Sequence, residues 1–386
     1  MNPEPIALTA EHAPELRRLM NHAFGHGRIP DPPSGEESDP EGTIGIVEDG
    51  RLRAALTICD FQTHWGATTL PMGGIAGVAT YADARGRGLV DRMLRQSLER
   101  MRANGQVVSS LFPFAFAFYR KFGWDWVGEK RTYVLPLREL PRRREITAAR
   151  ELDAPDPKTI LAPIYTQVAR HYHGAFTAES HKWHDPLNHN DGRTTYVHTT
   201  DGGYMIWRYP GSGGGPLDIR EYMATTPDAD AALLALLRDI GTQVEQGRVH
   251  LPADTPIWSS LMHWDVSTTV QPVFMGRVVD LAAALAARPI PPDLFGTLTL
   301  AVADEHAPWN DGVWRLTADG GVLSAARTQD TPQIAADIAA VSQAYWGTPS
   351  VATLRRAGRL TVHDDAAFGL LCQLLPPALV YCWDGF

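Results

Sequence analysis

At 386 residues the chain is too long for one small domain and points to two or three, and with 44% hydrophobic against 20% charged residues it can bury sizeable cores. Lys and Arg number 35 against 44 Asp and Glu, a net charge of −9, which argues against nucleic acid as a main partner. No apolar run is long enough to span a membrane and the start lacks a basic-then-apolar leader; the three cysteines, Cys59, Cys372 and Cys382, lack metal spacing, so the sequence predicts a cytoplasmic protein with reduced thiols.

Residues 6–24 read as a strand and a helix, with Leu8, then Leu16, Leu19, Met20, Ala23 and Phe24 on one side. The stretch 29–43 (IPDPPSGEESDPEGT) is rich in Pro, Gly and acid and reads as a loop. Strands at 44–47 and 54–61 flank a Glu48-Asp49-Gly50 turn, a hairpin signal. Residues 72–80 (MGGIAGVAT) are small and apolar with a glycine pair, as expected of a buried, distorted strand. Arg85-Gly86-Arg87-Gly88 follows and opens a helix over 89–103, whose Leu89, Val90, Met93, Leu94, Leu98 and Met101 keep helical spacing. An aromatic segment, 112–126, leads to a strand at 132–140, and the basic stretch 141–145 reads as a boundary.

From 146 to 277 a second mixed region repeats hairpin, strand and helix: a helix at 159–172, strands at 194–198, 203–209 and 217–224, then a helix at 229–246. It lacks the Arg-x-x-Gly turn, and Gly211–Gly215 reads as a hairpin tip. The histidines His171, His173, His181, His184 and His189 invite a zinc reading, but no ordered Cys, Asp or Glu spacing accompanies them; a polar pocket wall or surface loop is expected, with no metal. The last stretch opens with a helix at 280–287 and a proline-rich stop. Strands at 296–302, 312–317 and 321–325 and helices at 332–345 and 351–357 follow, a mixed α+β pattern.

A glycine turn that opens a helix aims free backbone N–H groups at one point, where the helix dipole adds positive potential. With the charges of Arg85 and Arg87, that is a pyrophosphate site. Neither G-x-G-x-x-G nor a P-loop occurs. Arg85-x-x-Gly88 after a strand resembles the acyl-CoA signature of the GNAT N-acetyltransferases, with Val90 where most of them carry Gly or Ala. Tyr119-x-x-Phe122-Gly123-Trp124 resembles the end of that domain. The segment 278–289 and the ending Trp383-Asp384-Gly385-Phe386 resemble the Eis-type (enhanced intracellular survival) subfamily.

That resemblance implies two GNAT-like acetyltransferase domains, 1–141 with the acetyl-CoA site and a degenerate 142–277 shaping the acceptor pocket. A sterol-carrier-like α+β domain, 278–386, then ends in a catalytic carboxylate. It implies acetyl-CoA as co-substrate, a small-molecule amine as acceptor (aminoglycoside-, polyamine- or lysine-like) and a homohexamer. The cradle is expected at Arg85, Gly86, Arg87, Gly88 and Leu89, with Val78, Ala79 and Thr80 along the pantetheine arm and a backbone N–H near Val78 on the thioester oxygen. Tyr119 is the expected general acid, because a phenol stays protonated at neutral pH and can hand its proton to sulfur. No Glu or His in the first domain stands out as base. In Eis-type enzymes the C-terminal Phe carboxylate serves, here Phe386, and the apolar tail PPALVYCWDGF calls for burial rather than fraying. Two positions depart from relatives that carry acids there: His26 and Gly385. The alternative is a non-catalytic CoA- or lipid-binding regulatory protein.

Overall fold

The computed structural model describes residues 3–25, 40–66, 68–141, 148–187, 192–259 and 265–386. The first region runs β1 (Ile6–Ala7), α1 (Ala13–Phe24), β2 (Thr43–Glu48), β3 (Arg51–Trp65), β4 (Thr68–Thr80), α2 (Leu89–Ala103), β5 (Val108–Leu111), α3 (Phe116–Arg120) and β6 (Asp125–Pro136). The second has β7 (Arg150–Glu151), α4 (Lys158–Ala169), α5 (His184–Leu187), β8 (Tyr196–Thr200), β9 (Gly203–Arg208), β10 (Leu217–Ala224), α6 (Pro227–Ile240), β11 (Gln246–Leu251) and β12 (Ser267–Val278). The third comprises α7 (Leu281–Ala287), β13 (Phe295–Ala303), β14 (Gly312–Asp319), β15 (Val322–Arg327), β16 (Ile334–Asp337), α8 (Ile338–Trp346), α9 (Val351–Arg356), β17 (Leu360–Val362) and α10 (Asp365–Leu374).

Twelve strands form one sheet, ordered β1-β2-β3-β4-β5-β12-β6-β11-β10-β9-β8-β7, and the other five form a second, β15-β14-β13-β16-β17. Among the described residues of the large sheet, only β4–β5 and β10–β11 pair in parallel. Strand β12 lies antiparallel between β5 and β6, so the second region completes the first region's sheet and the two cannot separate without breaking ladder hydrogen bonds.

The amphipathic helices explain the layers. Met93, Leu94, Leu98 and Met101 of α2 pack on Ile44, Ile46, Leu56 and Ile75, while Leu233, Leu234 and Leu237 of α6 pack on Met205, Leu217 and Val249. The core of the last region is continuous with the first region's sheet: Phe61, Met72, Val108 and Phe176 share one apolar cluster with Leu298, Ile334, Val341 and Trp346.

Two expected helices are shorter than their periodicity suggests. The apolar run 229–246 leaves the helix after Ile240, and 246–251 becomes β11, which pairs with β6 and β10. Likewise 334–337 is strand β16, and α8 starts only at Ile338, where the Asp337 carboxylate accepts the Ala340 N–H. In both places pairing in a sheet outweighs helical spacing, because buried strand edges need partners. Most of the loop at 29–43 and of the basic stretch 141–145 lies outside the described residues.

Candidate active site

Strands β4 and β5 are paired from Met72–Val108 to Ile75–Leu111; β5 then stops while β4 continues to Thr80. A fork opens there. Beyond it β4 carries a bulge: Ala76 faces Thr57 and Ala79 faces Ala55, so Gly77 and Val78 together oppose Leu56. Gly77 takes a φ of +56°, which a side chain would strain. The bulge turns backbone groups of β4 out of the ladder and toward the fork.

A groove of about 730 Å³ runs from this bulge to the start of α2. Val78, Ala79, Thr80, Arg85, Gly86, Gly88 and Leu89 line it, and Arg87 does not. Gly86 and Gly88 have φ of +74° and +70°, so the turn itself requires glycine, and Gly88 caps α2 without a side chain in the way. The Arg87 guanidinium is held by both carboxylate oxygens of Glu48, at 2.9 and 2.6 Å. Its charge is therefore answered within the chain, which a reading of spacing alone could not foresee. Arg85 is exposed on the groove. Lys121, on the opposite wall, adds a cation that sequence reasoning passed over, although it lies inside the Tyr-x-x-Phe-Gly-Trp segment. The Thr80 hydroxyl is buried in the groove wall with no partner among the described residues.

Tyr119, on α3, is buried, 2% exposed, and its ring stands edge-on to Phe114 and Phe118 at 5.2 and 5.1 Å. Phe114, Phe118 and Phe122 of the same segment line the groove; Tyr119 stands behind them. Burial pushes its phenol well above the ordinary value, so it remains protonated throughout the physiological range.

Phe386 is docked on the first region's sheet. Its ring lies 5.1 Å from Phe61, 5.3 Å from Phe112 and 5.8 Å from Phe176, centroid to centroid. Gly74, in the last paired stretch of β4, sits directly under it: a Cβ there would meet Phe386 at 2.7 Å and Phe61 at 2.6 Å. The Lys182 ammonium stands 6.0 Å from both the Phe61 and Phe386 ring centroids.

The second region has its own fork, between β10 and β11, which pair only from Leu217–Gly247 to Ile219–Val249. A cavity of about 420 Å³ lies at its mouth, lined by Tyr172, Tyr222, Asp230, Asp254 and Trp383 among others. Its helix start is built differently. Thr226 caps α6 by accepting the Ala229 N–H, Pro227 has no N–H to offer, and Asp228 and Asp230 fill the first turn. The first turn of α6 thus carries two carboxylates, where that of α2 carries one, Asp91.

The histidines do not converge on one point. His173 stacks on Trp65 at 4.6 Å and donates from Nδ1 to the Trp346 carbonyl, and burial pushes its pKa down to about 4. His181 is buried between Glu221 and Asp384, His171 lines the second cavity, His184 is exposed, and His189 lies outside the described residues. His26 lies outside them as well.

Comparison with known proteins agrees with this geometry. Residues 4–127 and 174–278 each match a model described as an acetyltransferase (GNAT) domain, and residues 281–383 match a sterol carrier protein domain. An uncharacterised N-acetyltransferase of Streptomyces avermitilis is 28% identical over 324 residues, covering 76% of each chain. A GCN5-related N-acetyltransferase from Anabaena variabilis superposes with a TM-score of 0.88 at 19% identity, over 99% of this chain and all of that one. Two GNAT domains, one with an open cradle, define the protein as an acetyltransferase enzyme, of the N-acetyltransferase type, whose family uses acetyl-CoA. Eis1 from Mycobacterium abscessus shares the whole three-part architecture, with a TM-score of 0.83 at 21% identity over 99% of this chain and 100% of that one. The chain thus carries two GNAT acetyltransferase domains followed by a sterol carrier protein domain, and its fold is similar to that of Eis1. Among the described residues no helix is long and apolar enough to cross a membrane.

Proposed function

We propose that the protein moves the acetyl group of acetyl-CoA to a primary amine of a cationic small molecule, with Tyr119 as general acid and the Phe386 carboxylate as the group that receives the amine. The observation that carries this reading is the Phe386 ring seated over Gly74, which brings the chain terminus to the fork where β4 and β5 part. The groove residues Arg85, Gly86, Gly88 and Leu89 would hold the pyrophosphate, and Val78 to Thr80 the arm. The thioester oxygen then meets backbone N–H of the bulged strand, which favours the negative charge that develops there.

In the transfer a neutral amine nitrogen forms the new C–N bond, the C–S bond breaks, the amine loses a proton and the thiolate gains one. The carboxylate of Phe386 orients the neutral amine and accepts the proton that the nitrogen loses as the C–N bond forms. Tyr119, protonated at neutral pH as a phenol is at its ordinary value, supplies the proton for sulfur.

Thiol release from acetyl-CoA, measured against aminoglycosides, polyamines and lysine peptides, tests the acceptor. Rapid turnover with one class names it; uniform inactivity toward all three would overturn the cationic-amine assignment. Tyr119→Phe is expected to lower kcat by about 10²-fold or more while leaving the KM for acetyl-CoA nearly unchanged. Arg85→Ala is expected to raise that KM by about tenfold, the scale of one charge-assisted hydrogen bond. Arg87→Ala should raise it far less, since Glu48 already holds that guanidinium.

A further inference from the structure

Asp384 is buried two residues from the chain end, 6% exposed, and both its oxygens are taken by one dipeptide. Oδ2 lies 2.9 Å from His181 Nδ1, and Oδ1 accepts the Lys182 backbone N–H at 2.7 Å. On its other side the His181 ring meets β10: Nε2 lies 2.9 Å from Glu221 Oε1, an ion-pair approach off the line of a hydrogen bond. The second oxygen of Glu221 accepts the Tyr204 hydroxyl at 2.7 Å. Glu221 stands just past a register irregularity in β10, which aims a carboxylate into an otherwise apolar interior. Tyr165 closes the site by stacking on His181 at 4.3 Å, with Trp183 edge-on at 4.5 Å.

We propose that His181 is a positioning residue for acetyl transfer, tying the C-terminal tail, through Asp384, to Glu221 of β10 and so setting where the Phe386 carboxylate lies. The inference rests on the reading that this carboxylate receives the amine. Two residues of chain reach at most about 7 Å, so a tail held at Asp384 leaves the terminus a small volume to explore. Gly385, which links them, has open space on the side where a Cβ would stand, with no atom within 4 Å. Order at the terminus therefore has two sources, the Phe386 ring contacts and the Asp384 clamp. Lys182, adjacent to His181, bonds the tail through its backbone and reaches the Phe386 ring with its ammonium, so one dipeptide touches both points.

The titratable groups facing His181 are Glu221 of β10, Asp384 of the tail and Tyr165 of α4; Tyr204 of β9 bonds the other oxygen of Glu221, and Cys382 neighbours Asp384. Burial works to lower the His181 pKa, but Glu221 and Asp384 outweigh it and hold the ring charged up to about 10. Because the folded value is raised, the clamp is complete below the ordinary histidine pKa of about 6.5 and is lost as pH rises through about 10.

The test uses the full-length protein with His181→Gln, with Asp384→Asn, which is isosteric and breaks the same link from the other end, and with both. Hydrogen exchange of 379–386, kcat and the KM for acetyl-CoA are measured from pH 6.5 to 10, beside a chain lacking Gly385 and Phe386. Each single variant is expected to speed tail exchange and lower kcat by about tenfold or more with KM for acetyl-CoA unchanged, and the double variant to be no worse than either, because both remove one coupling. The wild-type tail should lose protection toward pH 10 while the tail of His181→Gln stays level. If the truncated chain is inactive but both single variants keep wild-type exchange and kcat, the positioning role is overturned and the carboxylate stands. A loss that raises the acetyl-CoA KM in step with lowered stability would mark a purely structural residue and also overturn it. If the truncated chain turns over at the wild-type rate, it is the carboxylate reading that fails.

Discussion

One glycine added after Phe386 is expected to lower kcat by about 10²–10⁴-fold, the usual worth of a positioned proton acceptor, with acetyl-CoA affinity kept within about twofold. The extension leaves the ring free to stay over Gly74 and against Phe61, Phe112 and Phe176, yet it moves the charge by about 3.8 Å, the spacing of adjacent Cα atoms. It therefore separates the carboxylate from the ring, which deletion of Gly385 and Phe386 cannot do. The groove that would hold acetyl-CoA is lined by β4, α2 and the aromatic segment and does not include the tail. Steady-state kinetics beside a direct titration of CoA reads both quantities. A glycine-extended enzyme with unaltered kcat would remove the terminal carboxylate from the mechanism.

Arg277→Ala is expected to cost about 3–5 kcal/mol of stability, the scale for breaking a buried ion pair from one side. Arg277 is fully buried at the end of β12, and its guanidinium donates to both oxygens of Asp304 at 2.8 and 2.7 Å. It also donates to the Phe122 carbonyl and lies 5.3 Å from the Trp124 ring centroid. Gly123, at φ +86°, leaves room for this guanidinium where any Cβ would collide with it. Removing the side chain strands the Asp304 carboxylate in the core with only the amides of His306, Ala307 and Asn310. Urea unfolding measures the loss, and the double variant with Asp304→Ala should lose less than the sum of the singles. Phe122 closes the turn after α3, so kcat should fall as well. Arg359 reinforces the same turn by binding buried Asp125 at 3.0 Å, beside the Arg120 contact at 2.9 Å. The sterol-carrier-like domain thus braces the helix that carries Tyr119 and also supplies the terminus.

What could be read from the chain itself was local. The amphipathic spacing of 89–103, the glycines that need positive φ at 86 and 88, and the small residues of β4 are consequences of backbone sterics and helix periodicity, and these act within a few residues. From them came the anion cradle, while the three-part fold and the acetyltransferase class came from the resemblance of the motifs to a known family. The Phe386 ending was legible too, as a resemblance and as an apolar tail that needed burial. What only the tertiary structure decided was pairing across long separations. Spacing could not tell that Arg87 spends its charge on Glu48, that β12 crosses into the first sheet, that 246–251 leaves a helical pattern for a strand, or that His181 belongs to Asp384 rather than to its neighbouring histidines. Each is a choice among many partners of the same chemistry. It is made by where the folded backbone leaves a charge or a strand edge buried, and burial is a property of the whole fold and of no single segment.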